Sequence, residues 1–295
     1  MSQPYVTLNN GVAMPALGFG ILNRDRPYLT VDAVRQALET GYRLVDTAAN
    51  YNNEREVGEA IRSSGIDRSE VFLTTKLWIG HYGYEEALNG FSGSLRRLGL
   101  DYVDLYLLHW PYPLNFEATL ASYKAAEKLL ADGRVRAIGV SNFKPEHIER
   151  LLEHAGTVPA VNQIELHPFF AQKEARKTNL RHGIVTEAWA PLGNIVARNP
   201  VNATPGPLDH PLIAEIGKVH GRTNGQIILR WHLEKGVVAI PKSVTPERIR
   251  SNFDIFDFKL SVEELEALDA LDTGSRFSRD PEIVDVETFP IKVID

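Results

Sequence analysis

Cysteine is absent from the 295-residue chain. Its absence excludes disulfide staples, thiolate nucleophiles and cysteine-ligated zinc, and it suits a reducing, cytoplasmic setting. Long apolar runs are missing too. No stretch approaches the roughly 20 residues that span a bilayer, and the opening MSQPYVTLNNG lacks the basic-then-apolar order of a secretory signal. There is no basic excess: the net charge is −6 with both signs spread along the chain, so the footprint of a nucleic-acid binder is lacking. The nine histidines are scattered, without His-Glu-x-x-His or a tight grouping with carboxylates, and no metal is expected. With 43% hydrophobic and 24% charged residues, the chain is neither disordered nor fibrous and can bury a large core unaided.

What is present alternates. Thr7-Leu8 and Val12-Ala13-Met14 flank Asn10-Gly11, which predicts a β-hairpin with a tight type I′ turn. Eight short runs rich in Val, Ile and Leu follow: Ala16–Gly20, Leu44–Asp46, Val71–Lys76, Val103–His109, Val135–Val140, Ala160–Glu165, Val185–Ala190 and Val237–Ile240. They show little period-two patterning, as expected of parallel strands covered on both faces. Helical segments separate them: Val31–Thr40, with Thr30 as N-cap and Gly41 as stop, then Glu54–Ser63, Glu85–Leu98, Ala118–Ala131, Pro145–His154 and Lys173–His182. Gly133 and Gly183 stop two of these. Pro211–His220 and Gly225–Glu234 precede the eighth run; Pro246–Phe253 and Val262–Leu271 follow it.

Eight strand–helix units predict a (β/α)8 TIM barrel, an α/β fold, in a single domain spanning 1–295, with an extra C-terminal helix and loop. The competing doubly wound sheet would carry a glycine-rich phosphate turn after its first strand. Gly18-Phe19-Gly20-Ile21-Leu22-Asn23 starts that pattern but lacks its last glycine. The least regular stretches, Gly193–Asp209 and Gly274–Asp295, are candidate active-site loops.

A barrel places its chemistry at the C-terminal ends of its strands. There the sequence sets Asp46, Tyr51 in the following loop, Lys76, and His109 before Trp110-Pro111. Each has a plainer reading: a capping Asp, a packing Tyr, a Lys reaching water, a structural His. Together, on three successive strands, they form a chemical unit. A phenol near pKa 10 is a poor acid at neutrality, but an adjacent ammonium favours its phenolate. Asp46 can keep Lys76 charged in an apolar setting. Tyr51 can then donate a proton to a developing alkoxide while His109 hydrogen-bonds the same oxygen. Such a site suits carbonyl reduction with hydride from a cofactor.

These residues lie in segments that resemble the aldo-keto reductase family over nearly the whole chain. The segments are Leu44-Val45-Asp46-Thr47-Ala48 through Tyr51-Asn52-Asn53-Glu54, Leu105-Tyr106-Leu107-Leu108-His109-Trp110-Pro111, Gly139-Val140-Ser141-Asn142-Phe143, and Ile240-Pro241-Lys242-Ser243-Val244-Thr245. The likeness is greatest to bacterial members of the diketogluconate and methylglyoxal reductase group. It implies that the hairpin closes the barrel base and that Asp46, Tyr51, Lys76 and His109 form a catalytic tetrad with Tyr51 as proton donor. It further implies NADPH (NADP+) as cofactor. Ser141, Asn142 and Gln163 would meet the nicotinamide amide, Trp189 would stack on its ring, and Pro191, Leu192 and Gly193 would run along the pyrophosphate. Lys242, Ser243, Val244, Thr245 and Arg248 would grip the 2′-phosphate, and Asn252 the adenine. On the residues alone, 242–252 reads more readily as a solvated helix N-terminus with ordinary surface charges. Ser251 departs from the family's frequent Glu, which loosens the expected adenine contact.

Trp78 and Trp110, beside tetrad members, are the candidate substrate wall, with Phe19, Ile21, Tyr112 and Phe277 as weaker choices. The short segment after Trp110 and the short tail predict an open pocket for a small carbonyl substrate. A monomer is expected. Two other readings compete: a cofactor-binding regulatory or scaffold protein of the same fold with little turnover, and a metal-independent barrel aldolase or isomerase using Lys76 as a Schiff base. The second conflicts with a lysine whose pKa a paired carboxylate would raise.

Overall fold

The computed structural model of the protein describes residues 3–23, 26–193 and 206–294. Most of the candidate loop Gly193–Asp209 therefore lies outside the described residues. Eight parallel strands follow one another in sequence order: β3 (Phe19–Gly20), β4 (Leu44–Asp46), β5 (Phe72–Leu77), β6 (Val103–Leu108), β7 (Val135–Ser141), β8 (Val161–Glu165), β9 (Val185–Trp189) and β10 (Val238–Ala239). A parallel bridge between Leu17 and Ala239 joins first to last and closes the (β/α)8 barrel. Gly18 N donates to Ala239 O at 2.8 Å along this seam.

The seam explains Gly18 and Gly20. A Cβ on Gly18 would lie 2.5 Å from the Leu44 side chain, and one on Gly20 would lie 2.8 Å from Ile240 O. The Gly-x-Gly pair thus serves close backbone approach inside the barrel, not a phosphate turn.

Preceding the barrel, β1 (Tyr5–Thr7) pairs antiparallel with β2 (Ala13–Pro15). The turn is not type I′. Gly11 N donates to Leu8 O at 2.9 Å, and Gly11 has φ +85° while Asn10 is not left-handed. Asn9-Asn10-Gly11 therefore forms a three-residue loop of the type I plus left-handed glycine kind. Its side chains reach across to the barrel: Asn9 Nδ2 donates to Pro159 O and Asn10 Nδ2 to Arg136 O, each at 2.9 Å. These bonds fasten the hairpin under β7 and β8, closing the base.

The outer ring comprises α1 (Thr30–Thr40), α2 (Glu54–Ser63), α3 (Tyr84–Leu98), α4 (Phe116–Ala131), α5 (Pro145–Leu152), α6 (Lys173–Arg181), α8 (Asn224–Glu234) and α9 (Pro246–Phe253). Two further helices, α7 (Pro211–His220) and α10 (Val262–Asp269), share one buried cluster through Ile213, Ile216 and Leu268. Glycines at 41, 133 and 183 take positive φ at helix ends as expected. Thr30 does not cap α1. It is the helix's first residue, entered from the 3₁₀ turn Pro27–Leu29, and Leu29 is already right-handed helical. No helix among the described residues is long and apolar enough to cross a membrane.

Strand side chains alternate between lumen and helices. Leu44, Phe72, Leu105, Leu107, Ala137, Val161 and Val238 pack inward with Leu8 and Met14 of the hairpin. Val45, Leu73, Tyr106, Leu108, Ile138 and Val140 face the helices. Continued by twos toward the strand ends, the inward series runs into Asp46, Lys76, His109, Ser141, Gln163, Glu187 and Trp189. The pleat itself therefore gathers the site.

Candidate active site

At the C-terminal mouth, Lys76 Nζ donates to Asp46 Oδ1 at 2.6 Å and to Thr47 O at 2.9 Å. Neither side chain sees solvent: Lys76 is 0% exposed and Asp46 3%. Tyr51 ends the 3₁₀ turn Ala49–Tyr51 that leaves β4, and its ring centroid lies 5.2 Å from Lys76 Nζ. The His109 ring stands edge-on to Tyr51, centroids 5.8 Å apart, and to Trp78 at 5.5 Å. The four predicted groups thus meet in one place.

Burial opposes the Lys76 ammonium, but Asp46 first, then Tyr51 and Glu187, hold its pKa above the ordinary lysine value. This is the reverse of what a Schiff-base lysine needs. Burial pushes the Asp46 carboxyl up, against the pull of Lys76 and Gln163.

Two carboxylates escaped the sequence reading. Glu187, on β9, is fully buried, and its pKa is pushed up to about 8 by burial and then by Asp46. Gln163 Nε2 donates to both Asp46 Oδ2, at 2.8 Å, and Glu187 Oε2, at 2.7 Å. Glu165, also fully buried, accepts from Phe277 N at 2.7 Å and from the Ser278 hydroxyl and backbone N–H. Burial works against its charge, yet bonds from His167, Ser278 and Phe277 hold its carboxyl below the usual range. The inward parity of 185, 187 and 189, and of 161, 163 and 165, was the signal that could have found both.

The residues expected around a nicotinamide form one linked set. Ser141 Oγ donates to Gln163 O at 2.8 Å. Asn142, left-handed at φ +65°, donates from Nδ2 to His109 O at 2.9 Å and accepts at Oδ1 from Trp189 Nε1 at 2.9 Å. Trp189 is thereby held by its edge, with its half-buried ring left for stacking. Both Gln163 amide hydrogens go to carboxyl groups, so only its Oε1 is left to read a ligand, and an acceptor there suits a carboxamide N–H. This set fits a nicotinamide.

Pro191, Leu192 and Gly193 continue from Ala190, itself left-handed at φ +47°, in a turn closed by Gly193 N donating to Ala190 O at 2.8 Å. His232 Nε2 fixes the turn by donating to Pro191 O at 3.0 Å. At the β10 end, Gly20 N donates to Pro241 O, so exposed Lys242 leaves from the same rim. Ser243 is buried, and its Oγ accepts from Thr245 N at 3.1 Å just before α9. Arg248 is exposed on α9, and Asn252 Oδ1 lies 3.7 Å from where a Cβ on Gly225 would stand. Those two residues lie one helical turn apart on α9. A cleft of about 440 Å³ between α1 and α9 includes Val244 in its wall but none of the tetrad.

Trp78 and Trp110 share a buried cluster with Val284, joined by Tyr82, Tyr112, Phe289, Ile291 and Val293. Phe289 packs on Trp78 at 5.2 Å and Trp110 at 6.4 Å. Asn52, next to Tyr51, donates to Lys292 O at 3.1 Å and accepts from Ile294 N at 2.9 Å. The tail therefore walls the mouth, which corrects the expectation of an open pocket. Phe19 and Ile21 are not pocket residues. With Gly18 and Gly20 facing the lumen, Phe19 turns outward onto Tyr42 at 5.6 Å, and Ile21 is buried with the helix-facing core. Phe277 stacks on His167 at 4.7 Å.

Among the described residues, Glu146, His147 and Glu282 could bring ligand atoms within 4.8 Å of one another. Lys144 Nζ already lies 3.2 Å from Glu282 Oε1 and supplies the cation there.

The model of the Aldo/keto reductase family matches residues 17–273. Morphine 6-dehydrogenase of Pseudomonas putida is 54% identical over 290 residues, covering 97% of each chain. Glyoxal reductase of Bacillus subtilis is 44% identical over 279 residues, 94% of this chain and 96% of the relative. A Bombyx mori aldo-keto reductase solved in complex with NADP superposes with a TM-score of 0.86 at 32% identity, covering 98% of this chain and 97% of that one. The chain belongs to the aldo/keto reductase family.

Proposed function

We propose that the protein reduces aldehydes, ketones or dicarbonyls to alcohols with NADPH, Tyr51 giving the proton. One observation carries this reading: a fully buried Lys76–Asp46 pair at 2.6 Å, with the Tyr51 ring 5.2 Å from its ammonium and His109 beside it. The substrate oxygen would sit between Tyr51 and His109. His109 orients it, and Tyr51 donates its hydroxyl proton as negative charge develops there. Lys76 steadies the resulting phenolate, and Asp46 keeps Lys76 protonated in a site that excludes water.

When bound, the reduced dinucleotide supplies the hydride. Ser141, Asn142, Gln163 and Trp189 would hold its nicotinamide. Pro191, Leu192 and Gly193 would flank the pyrophosphate. Lys242, Ser243, Val244, Thr245, Arg248 and Asn252 would hold the 2′-phosphate and adenine. Trp78 and Trp110, with Phe289, would form the apolar substrate wall. The names of relatives support both dicarbonyl and bulkier substrates: glyoxal reductase, methylglyoxal reductase of Yersinia pestis, and morphine 6-dehydrogenase. A single-domain cytoplasmic monomer is part of the same proposal.

The test is NADPH consumption across a panel of aldehydes, ketones and α-dicarbonyls, preceded by cofactor titrations of protein fluorescence. NADPH is expected to bind more tightly than NADH. Arg248→Ala should weaken NADPH about 10- to 100-fold, the worth of a lost charge-assisted bond, and leave NADH nearly unchanged. Equal losses for both cofactors would remove Arg248 from the phosphate site, and a silent panel would remove the activity.

A further inference from the structure

Glu187 has no part in the proposed chemistry, yet it is a carboxyl group fully buried in the barrel. Thr186 Oγ1 accepts from Asn179 Nδ2 on α6 at 3.0 Å, so Thr186 faces the helices and Glu187 faces the lumen. Glu187 is fully buried, and its Oε1 makes no hydrogen bond among the described residues. Its Oε2 holds Gln163 Nε2, the same nitrogen that holds Asp46. On either side in the sheet it meets Gln163 of β8 and Val238 of β10, which bring no charge. Its charged neighbours are Asp46 of β4 and Lys76 of β5.

A buried carboxyl beside a carboxylate keeps its proton until the solution is alkaline. A glutamine could clamp Gln163 equally well through its amide oxygen. What only a carboxylic acid adds is a charge that comes and goes. Lys76 is the hub on which that charge acts: its ammonium lies 2.6 Å from Asp46 Oδ1 and 5.2 Å from the Tyr51 ring, and Asp46 shares Gln163 Nε2 with Glu187.

We propose that Glu187 is a positioning residue that clamps Gln163 against Asp46 and whose ionisation governs how readily Tyr51 releases its proton. This rests on the reading of Tyr51 as proton donor. While Glu187 is neutral, the Lys76 ammonium serves Asp46 and any Tyr51 phenolate. Once Glu187 ionises, it adds a like charge that opposes a further anion at Tyr51. The Tyr51 pKa rises, the phenol persists to higher pH, and carbonyl reduction is protected on the alkaline side. Alcohol oxidation, which needs the phenolate as base, is damped there.

The experiment is a tyrosinate absorbance titration of the cofactor-free protein, with Tyr51→Phe subtracted to isolate the Tyr51 band. In Glu187→Gln the Tyr51 transition is expected to move down by about one pH unit, the scale of one charge removed nearby. The alkaline limb of kcat for carbonyl reduction should move the same way, with the neutral plateau close to wild type. Glu187→Met should give the same titration shift, and by losing the clamp it should also raise the NADPH KM. It carries the test if the Gln variant fails to fold. A Tyr51 transition unmoved in the folded variant overturns the part given to Glu187 and leaves Tyr51 in place. A wild-type protein with no separable Tyr51 transition overturns both.

Discussion

Tyr51→Phe is expected to lower kcat for carbonyl reduction by about 10²- to 10⁴-fold, the range for removing a positioned general acid. The affinity for NADPH should stay the same, because the hydroxyl is the only atom lost and the ring keeps its edge contact with His109. The loss falls on the transition state. A neutral carbonyl oxygen accepts a hydrogen bond from His109 whether or not Tyr51 is present, but the developing alkoxide needs a proton at that moment. Single-turnover measurement of NADPH oxidation, with a fluorescence titration of the same sample, separates chemistry from binding. A Phe variant turning over at the wild-type rate would hand the proton donation to His109 or water.

Lys76→Met should produce the largest loss of stability of any single substitution in the lumen. Removing one partner of a buried ion pair typically costs about 3–5 kcal/mol, because the other charge is left without compensation. Here two carboxyls are left: Asp46, which loses its 2.6 Å partner, and Glu187, whose ionisation Lys76 also eases. Catalysis should fail with it, as the ammonium that supports the phenolate is gone. The paired change Asp46→Asn with Lys76→Met removes both charges and should recover part of the stability lost by Lys76→Met alone, though not the activity. Urea unfolding of the two single variants and the double gives the coupling. A loss below about 1 kcal/mol for Lys76→Met, the scale of a solvated surface pair, would mean that water reaches the lysine and that the electrostatic argument for Tyr51 fails.

The fold was legible because its signals are local. Eight Val/Ile/Leu runs separated by amphipathic segments and glycine stops need no long-range information, and the strand order followed from succession. The meeting of Asp46, Tyr51, Lys76 and His109 was legible because these residues end strands or follow one directly. Most of the misses came from contacts between residues remote in sequence. The hairpin turn looked like type I′ until Asn9 and Asn10 proved to be tied to residues near 159 and 136. Thr30 looked like a cap, but a 3₁₀ turn already supplies the start of α1. Phe19 and Ile21 sat near the right strand with the wrong parity, and only the seam glycines reveal which face is which. Glu187 had the right parity but no motif around it. The tail could not be placed from sequence, because its path is set by Asn52, Trp78 and Trp110, more than 170 residues earlier.

The hairpin holds residues 3–15 beneath the barrel, whereas Ile294 is bonded to Asn52 at the mouth. The two extremities of the described chain consequently occupy opposite poles. A surface tether or a bulky label joined before residue 3 leaves the C-terminal mouth of the barrel turned toward solution. The same attachment joined after residue 294 would lean on the tyrosine loop and crowd the entry of substrate.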